Sequence, residues 1–108
     1  MGLVTNLLDA ASLSPEAQLK PLAARVYAAA AKGDGEACHA LGVAYSTGAF
    51  EGRDLIEAHK WFNLGALYGY EEAGWSRADI ALEMTRGQIA EAQRRAREWL
   101  GSEMRRAA

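Results

Sequence analysis

Two histidines, one cysteine and a set of arginines gathered near one end are the side chains in this 108-residue chain with types suited to catalysis, metal binding or anion recognition. His39 and His59 fall on different segments, with no serine or acid at a spacing that would build a nucleophile and its base. Cys38 and His39 are neighbours in sequence, so on a helix they point about 100° apart and cannot share a metal as ligands four residues apart do. Cys38 therefore reads as a small buried hydrophobe. Gly33-Asp34-Gly35 is a GxG that follows a helical segment and not a strand, so it reads as a turn and not as a phosphate cradle. Arg86, Arg94, Arg95, Arg97, Arg105 and Arg106 raise the question of an acidic or nucleic-acid partner. Glu91 and Glu98 sit at helical spacing from Arg95 and Arg94, and a basic helix end complements the helix dipole, so this run reads as a solvated helix face. No catalytic residue, no metal ligand set and no cofactor is expected.

Those side chains must be positioned by helices, because the composition leaves little else. Alanine fills 23 positions and glycine 11, while valine, isoleucine and threonine number three each. So few β-branched residues do not make a sheet, whereas small residues suit helices that approach closely. The stop and start signals mark five helices. Ser14-Pro15-Glu16 supplies a cap, a first-turn proline and an early acid for a helix through Ala28–Ala31. A second covers about Glu36–Thr47 and stops at Gly48. Asp54-Leu55-Ile56-Glu57 opens a third, with Asp54 as cap and Glu57 expected to reach back to it, running to Gly69. A fourth spans roughly Glu71–Met84. Thr85-Arg86-Gly87-Gln88 has the spacing of a reciprocal cap for a fifth, whose apolar positions are Ile89, Ala92, Ala96, Trp99 and Leu100. Residues 1–13 read as an N-terminal arm or short helix, residues 14–108 as one domain, and 85–106 as its capping helix.

A repeat underlies this punctuation. Ala29-Ala30-x-x-Gly33-x-x-x-Ala37 recurs 36 residues later as Gly65-Ala66-x-x-Gly69-x-x-x-Ala73. Between them lie Ala37-x-x-x-Leu41-Gly42-x-x-Tyr45-x-x-Gly48 and Asp54-x-x-x-Ala58-x-x-Trp61-Phe62. This pattern, strongest from Glu36 to about Tyr70, resembles the Sel-one-like repeat family, relatives of the tetratricopeptide repeats. Phe50 and Glu51 depart from the family's usual glycine and small apolar residue. Arg77-Ala78 and Ala81 replace the Leu-Gly pair and the tyrosine in the next half-repeat, as fits a terminal repeat. The resemblance implies an all-α fold, a short right-handed superhelix of about five helices plus a short N-terminal helix, and a bacterial-type protein–protein interaction adaptor. A cysteine-rich branch of that family is linked with β-lactams, but its repeats are disulfide-stapled and this chain has one cysteine.

Helical spacing puts Ala37, Leu41, Ala44 and Tyr45 on one face, facing Ala58, Trp61 and Gly65 of the partner helix. Residues 36, 39, 43 and 46 lie off that face and map through the repeat onto 72, 75, 79 and 82, the inner surface of a repeat array. The expected partner-binding residues are Trp75 as anchor, His39 and Val43 beside it, and Asp79 and Glu36 as polar contacts. A tryptophan away from core positions is a favoured interface anchor. The competing expectation is that Leu3, Val4, Leu7 and Leu8 of the arm cover Trp75. Self-assembly into an oligomer is the alternative to an adaptor, and an enzyme or small-ligand protein is the third class.

Charge narrows the partners to protein or peptide. The net charge is −2, with 6 Lys/Arg against 11 Asp/Glu in residues 1–83 and 6 against 3 in residues 84–108. That argues against general nucleic-acid or anionic-membrane affinity, while the asymmetry hints at contact between copies. The apolar N-terminal stretch is cut by Asp9, so neither a signal peptide nor a span is expected. A lone cysteine needs no oxidising compartment, which points to the cytoplasm.

Overall fold

The computed structural model describes residues 15–49 and 52–107, with side chains from 23 to 106 outside the 50–51 gap. Within them the chain is all-α: α1 Pro15–Ala31, α2 Gly35–Thr47, α3 Leu55–Leu67, α4 Glu71–Ala81 and α5 Arg86–Ala107. The N-terminal arm, the Ser14 cap and the Phe50-Glu51 departure lie outside the described residues.

The 36-residue repeat is a repeated way of ending a helix. At the end of α1, Gly33 (φ 84°) lets the amides of Gly33 and Asp34 donate back to the carbonyls of Ala30 and Ala29. At the end of α3, Gly69 (φ 93°) does the same, with Gly69 and Tyr70 donating to Ala66 and Gly65. The small-small-x-x-Gly motif is thus two carbonyl acceptors and the left-handed residue that turns the chain back onto them. Each stop is followed at once by the next helix. Asp34 accepts from the amide of Ala37 at 3.1 Å at the head of α2, whereas Tyr70 heads α4 with no side-chain cap.

Small residues also set the helix spacing. A Cβ on Gly42 would lie 2.4 Å from the Phe62 ring, and one on Gly65 would lie 2.8 Å from the Ala73 methyl. Gly35, expected only as a turn residue, is buried at the head of α2, where a Cβ would meet Tyr70 Cβ at 2.9 Å and the Gly65 carbonyl at 3.0 Å. Leu41, Trp61 and Leu64 form the larger core with Ala30, Cys38 and Ala96, and Tyr45, Trp99 and Leu100 pack around it. Ala58, Phe62 and Ala73 form a second, smaller cluster between α3 and α4. Trp61 stands at the junction, edge-on to Tyr27 at 5.7 Å and to Trp99 at 4.8 Å.

Contacts run between α1 and α2, α2 and α3, α3 and α4, and also between alternate helices, α2 with α4 and α3 with α5. α5 lies mainly on α3: Ala92 and Ala96 are its buried residues, and Ala96 joins Trp61 and Leu64 of α3 in the larger core.

Three boundary expectations are corrected. Glu57 does not reach back to Asp54: the Asp54 side chain accepts from the Glu57 amide at 3.0 Å, but the Asp54 amide donates to the Tyr45 carbonyl. The Glu57 carboxylate instead takes Lys60 and, from α5, Arg95. α3 ends at Leu67 and not Gly69, since its closing glycine lies two residues beyond the last helical one. α4 ends at Ala81 and not Met84, because Leu82, Glu83 and Met84 donate three residues back, to Asp79, Ile80 and Ala81, as the chain tightens into the next cap. That cap is the expected reciprocal one, Thr85 Oγ1 accepting from the Gln88 amide at 3.1 Å and Gln88 Oε1 from the Thr85 amide at 2.9 Å.

Candidate functional site

The five expected binding residues are divided between a packed seam and an open helix face. His39 belongs to the seam. Its Nε2 lies 3.1 Å from Ser76 Oγ of α4, and its ring is 5.4 Å from Phe62 and 5.1 Å from Tyr70. His39 thus joins α2 to α4 and is partly buried, because α4 packs on the side of α2 where His39 projects. Val43, 40% exposed, and Glu36 lie on the solvent side of α2.

Trp75 is on the other side of that contact. It is 65% exposed, and Glu71, Ala78, Asp79 and Leu82 beside it in sequence are exposed too, Leu82 by 88%. Residues 71, 75, 78 and 82 recur at spacings of four, three and four, which is one stripe along a helix. By the repeat, Trp75 is the counterpart of His39. The α2 position that meets the following helix is therefore, on α4, bare and aromatic. Sequence spacing located positions 75 and 82; that both stand exposed depends on α5 packing on α3.

Acidic side chains border this face. Glu36, Glu71 and Asp79 form no ion pair or side-chain hydrogen bond among the described residues, and Tyr70 donates its phenol to Glu72 at 3.3 Å. Glu83 is held by Arg53, which contacts both carboxylate oxygens at 3.0 Å and donates to the Ser46 carbonyl, tying the end of α2 to the α4–α5 connection. Burial and the neighbouring acids push the Tyr70 phenol up from its usual range.

Titratable groups elsewhere are engaged in packing. Burial, reinforced by Asp34, pushes the Cys38 thiol up to about 11, so it stays protonated near neutral pH and is a poor nucleophile. His59 is 3% exposed with Nδ1 unpartnered, and burial followed by the Arg77 charge lowers its pKa from the usual 6.5. Sequence reasoning had no signal for its burial, because the α3 face that meets α4 is defined only once the two helices are in contact. An open cleft of about 340 Å³ between α3 and α5 is lined by Lys60, Arg94, Arg95, Glu98, Trp99 and Ser102. Its cations are already matched: Lys60 with Glu57 at 3.2 Å, Arg94 with Glu91 and Glu98 at 2.7 and 2.6 Å, and Arg95 with Glu57 and Glu91 at 2.8 and 3.0 Å. Arg94 and Arg95 hold the Glu91 carboxyl down at about 2. The expected Arg94–Glu98 and Arg95–Glu91 pairs are present. What the helical spacing could not foresee is that Arg95 also bridges to α3, so this run is partly an interhelical fastener.

Among the described residues no group of histidine, cysteine and acidic side chains could hold a metal ion, and no helix is long and apolar enough to cross a membrane. Compared with known protein families, characterised proteins and solved structures, the chain gives no significant match.

Proposed function

We propose that this chain is a Sel-one-like helical-repeat adaptor of bacterial type, cytoplasmic and without chemistry of its own, which binds a protein or peptide segment on the α2/α4 face. Trp75 is the anchor, with Val43, Asp79 and Glu36 bordering it and His39 holding the two helices in register. The observation that carries this reading is the exposure of Trp75, 65%, at the repeat position where its counterpart His39 is engaged with α4. A large exposed aromatic ring beside acids that are unpaired among the described residues is the composition of a binding hot spot with a polar rim. The right-handed superhelix belongs to the same proposal, supported by the twice-used helix stop and by contacts between alternate helices.

Affinity capture with the intact chain followed by mass spectrometry should identify the partner. Trp75→Ala should then weaken that partner's binding by about 2 kcal/mol or more. Recovery of the same partners by the variant, in the same yield and at the same salt, sinks the assignment.

A further inference from the structure

We infer that the Trp75 face of α4 receives the outward side of α5 from a second copy of this chain, in a head-to-tail contact between an acidic helix and a basic one. The shape of the occupant is indicated by the repeat. On α2 the position equivalent to Trp75 meets a helix, α4, through the His39–Ser76 contact. On α4 no described helix takes that place, because α5 is drawn to α3 by Ala96 and the Glu57–Arg95 pair. The vacant place is therefore helix-shaped.

The charge of the occupant follows from the rim. α4 carries Glu71, Glu72 and Asp79 against Arg77 alone, and Arg77 is turned to Asn63 of α3 at 2.7 Å. A second α4 would bring Glu71 and Asp79 of one copy against the same acids of the other, so a two-fold α4–α4 contact is disfavoured by like charge. α5 has the opposite character, six arginines against three glutamates. Its outward side presents Met104, 72% exposed, with Arg97 and Arg105, and Arg97 makes no ion pair or hydrogen bond among the described residues. Met104 offers an adaptable apolar partner for the Trp75 ring, sulfur against an aromatic edge, while Arg97 and Arg105 face Glu71 and Asp79. Because the two surfaces differ and lie on different helices, a bound pair keeps one of each free, and the contact propagates unless it closes into a ring. This contact does not rest on the adaptor reading. A segment of another protein with the same basic and apolar character would compete for it.

Light scattering and sedimentation of the full chain over a concentration series, at low and at high salt, test the contact without any variant. Expected is association that grows with concentration and weakens steeply with salt. Trp75→Ala should raise the dissociation constant about tenfold or more. Arg97→Glu with Arg105→Glu should abolish self-association, as should Glu71→Lys with Asp79→Lys, and mixing these two double variants should restore it between them. All these positions are exposed, and circular dichroism confirms that each variant is folded. A chain that stays monomeric at every concentration in low salt, as it would if its own N-terminal arm covered Trp75, overturns the inference. So does association indifferent to salt or to Trp75→Ala, or a mixture that fails to reassociate. A monomeric wild-type chain that still captures a partner through Trp75 overturns this contact alone and leaves the adaptor function standing.

Discussion

Gly42 shows how much a single missing Cβ determines here. The Phe62 ring occupies the space a methyl group would need, 2.4 Å from the Cβ position, and Phe62 is itself buried between α2 and α4. Gly42→Ala should cost roughly 1–3 kcal/mol through displacement of that ring, offset in part by alanine's better helix propensity. Urea denaturation measures the difference, and an unchanged midpoint would contradict the close approach. His59 gives a second residue-scale expectation, in pH. Its folded pKa lies below the unfolded value of 6.5, so the unfolded chain binds the extra proton first. The stability associated with neutral His59 is complete above that value and declines as pH falls from 6.5 toward the depressed folded pKa. His59→Gln should flatten this part of the stability profile. Carboxylates such as Glu91 contribute their own loss lower down, between 4.5 and about 2, and keep it in the variant.

At the scale of elements, the attachment of α5 to α3 is the arrangement that leaves α4 open. Two kinds of interaction hold it: small-residue packing of Ala96 in the core with Trp61 and Leu64, and the half-buried Glu57 carboxylate shared between Lys60 and Arg95. Lys60 also lies over the Trp61 ring at 4.5 Å, so its charge is used twice. A double-mutant cycle on Glu57 and Arg95 should give a coupling of about 1 kcal/mol, and the exposed Arg94–Glu98 pair less than half of that. Equal couplings would mean that the interhelical bridge adds nothing beyond a surface pair. Thr85→Ala removes the oxygen that accepts the Gln88 amide and should cost about 1 kcal/mol, seen as a lower thermal midpoint. Much of this scale was legible beforehand, because caps and stops are local chemistry. The fate of Glu57 was not. Whether a carboxylate three residues into a helix turns back to its cap or out to a lysine and an arginine depends on which neighbour the fold supplies.

For the molecule as a whole, the same face serves two expectations with separate readouts. Partner capture and its loss in Trp75→Ala address the adaptor function. Salt-sensitive association between copies addresses the contact of α5 with α4. Net charge alone, at −2, suggests neither. The distribution does, because Glu71 and Asp79 flank Trp75 on α4 while the surplus arginines lie on α5, and packing of α5 against α3 keeps the two sets on separate surfaces.

The sequence by itself determined that the chain is helical, where most helices begin and end, and that one way of ending a helix recurs 36 residues later, since capping oxygens, left-handed glycines and small-residue spacing act within a few residues of each other. It also singled out Trp75. Only the tertiary structure decided that His39 joins α2 to α4, that Gly35 is a contact residue as well as a turn, and that α5 leaves α4 for α3. Each of these depends on side chains far apart in the chain competing for the same space, and local spacing carries no information about which of them wins.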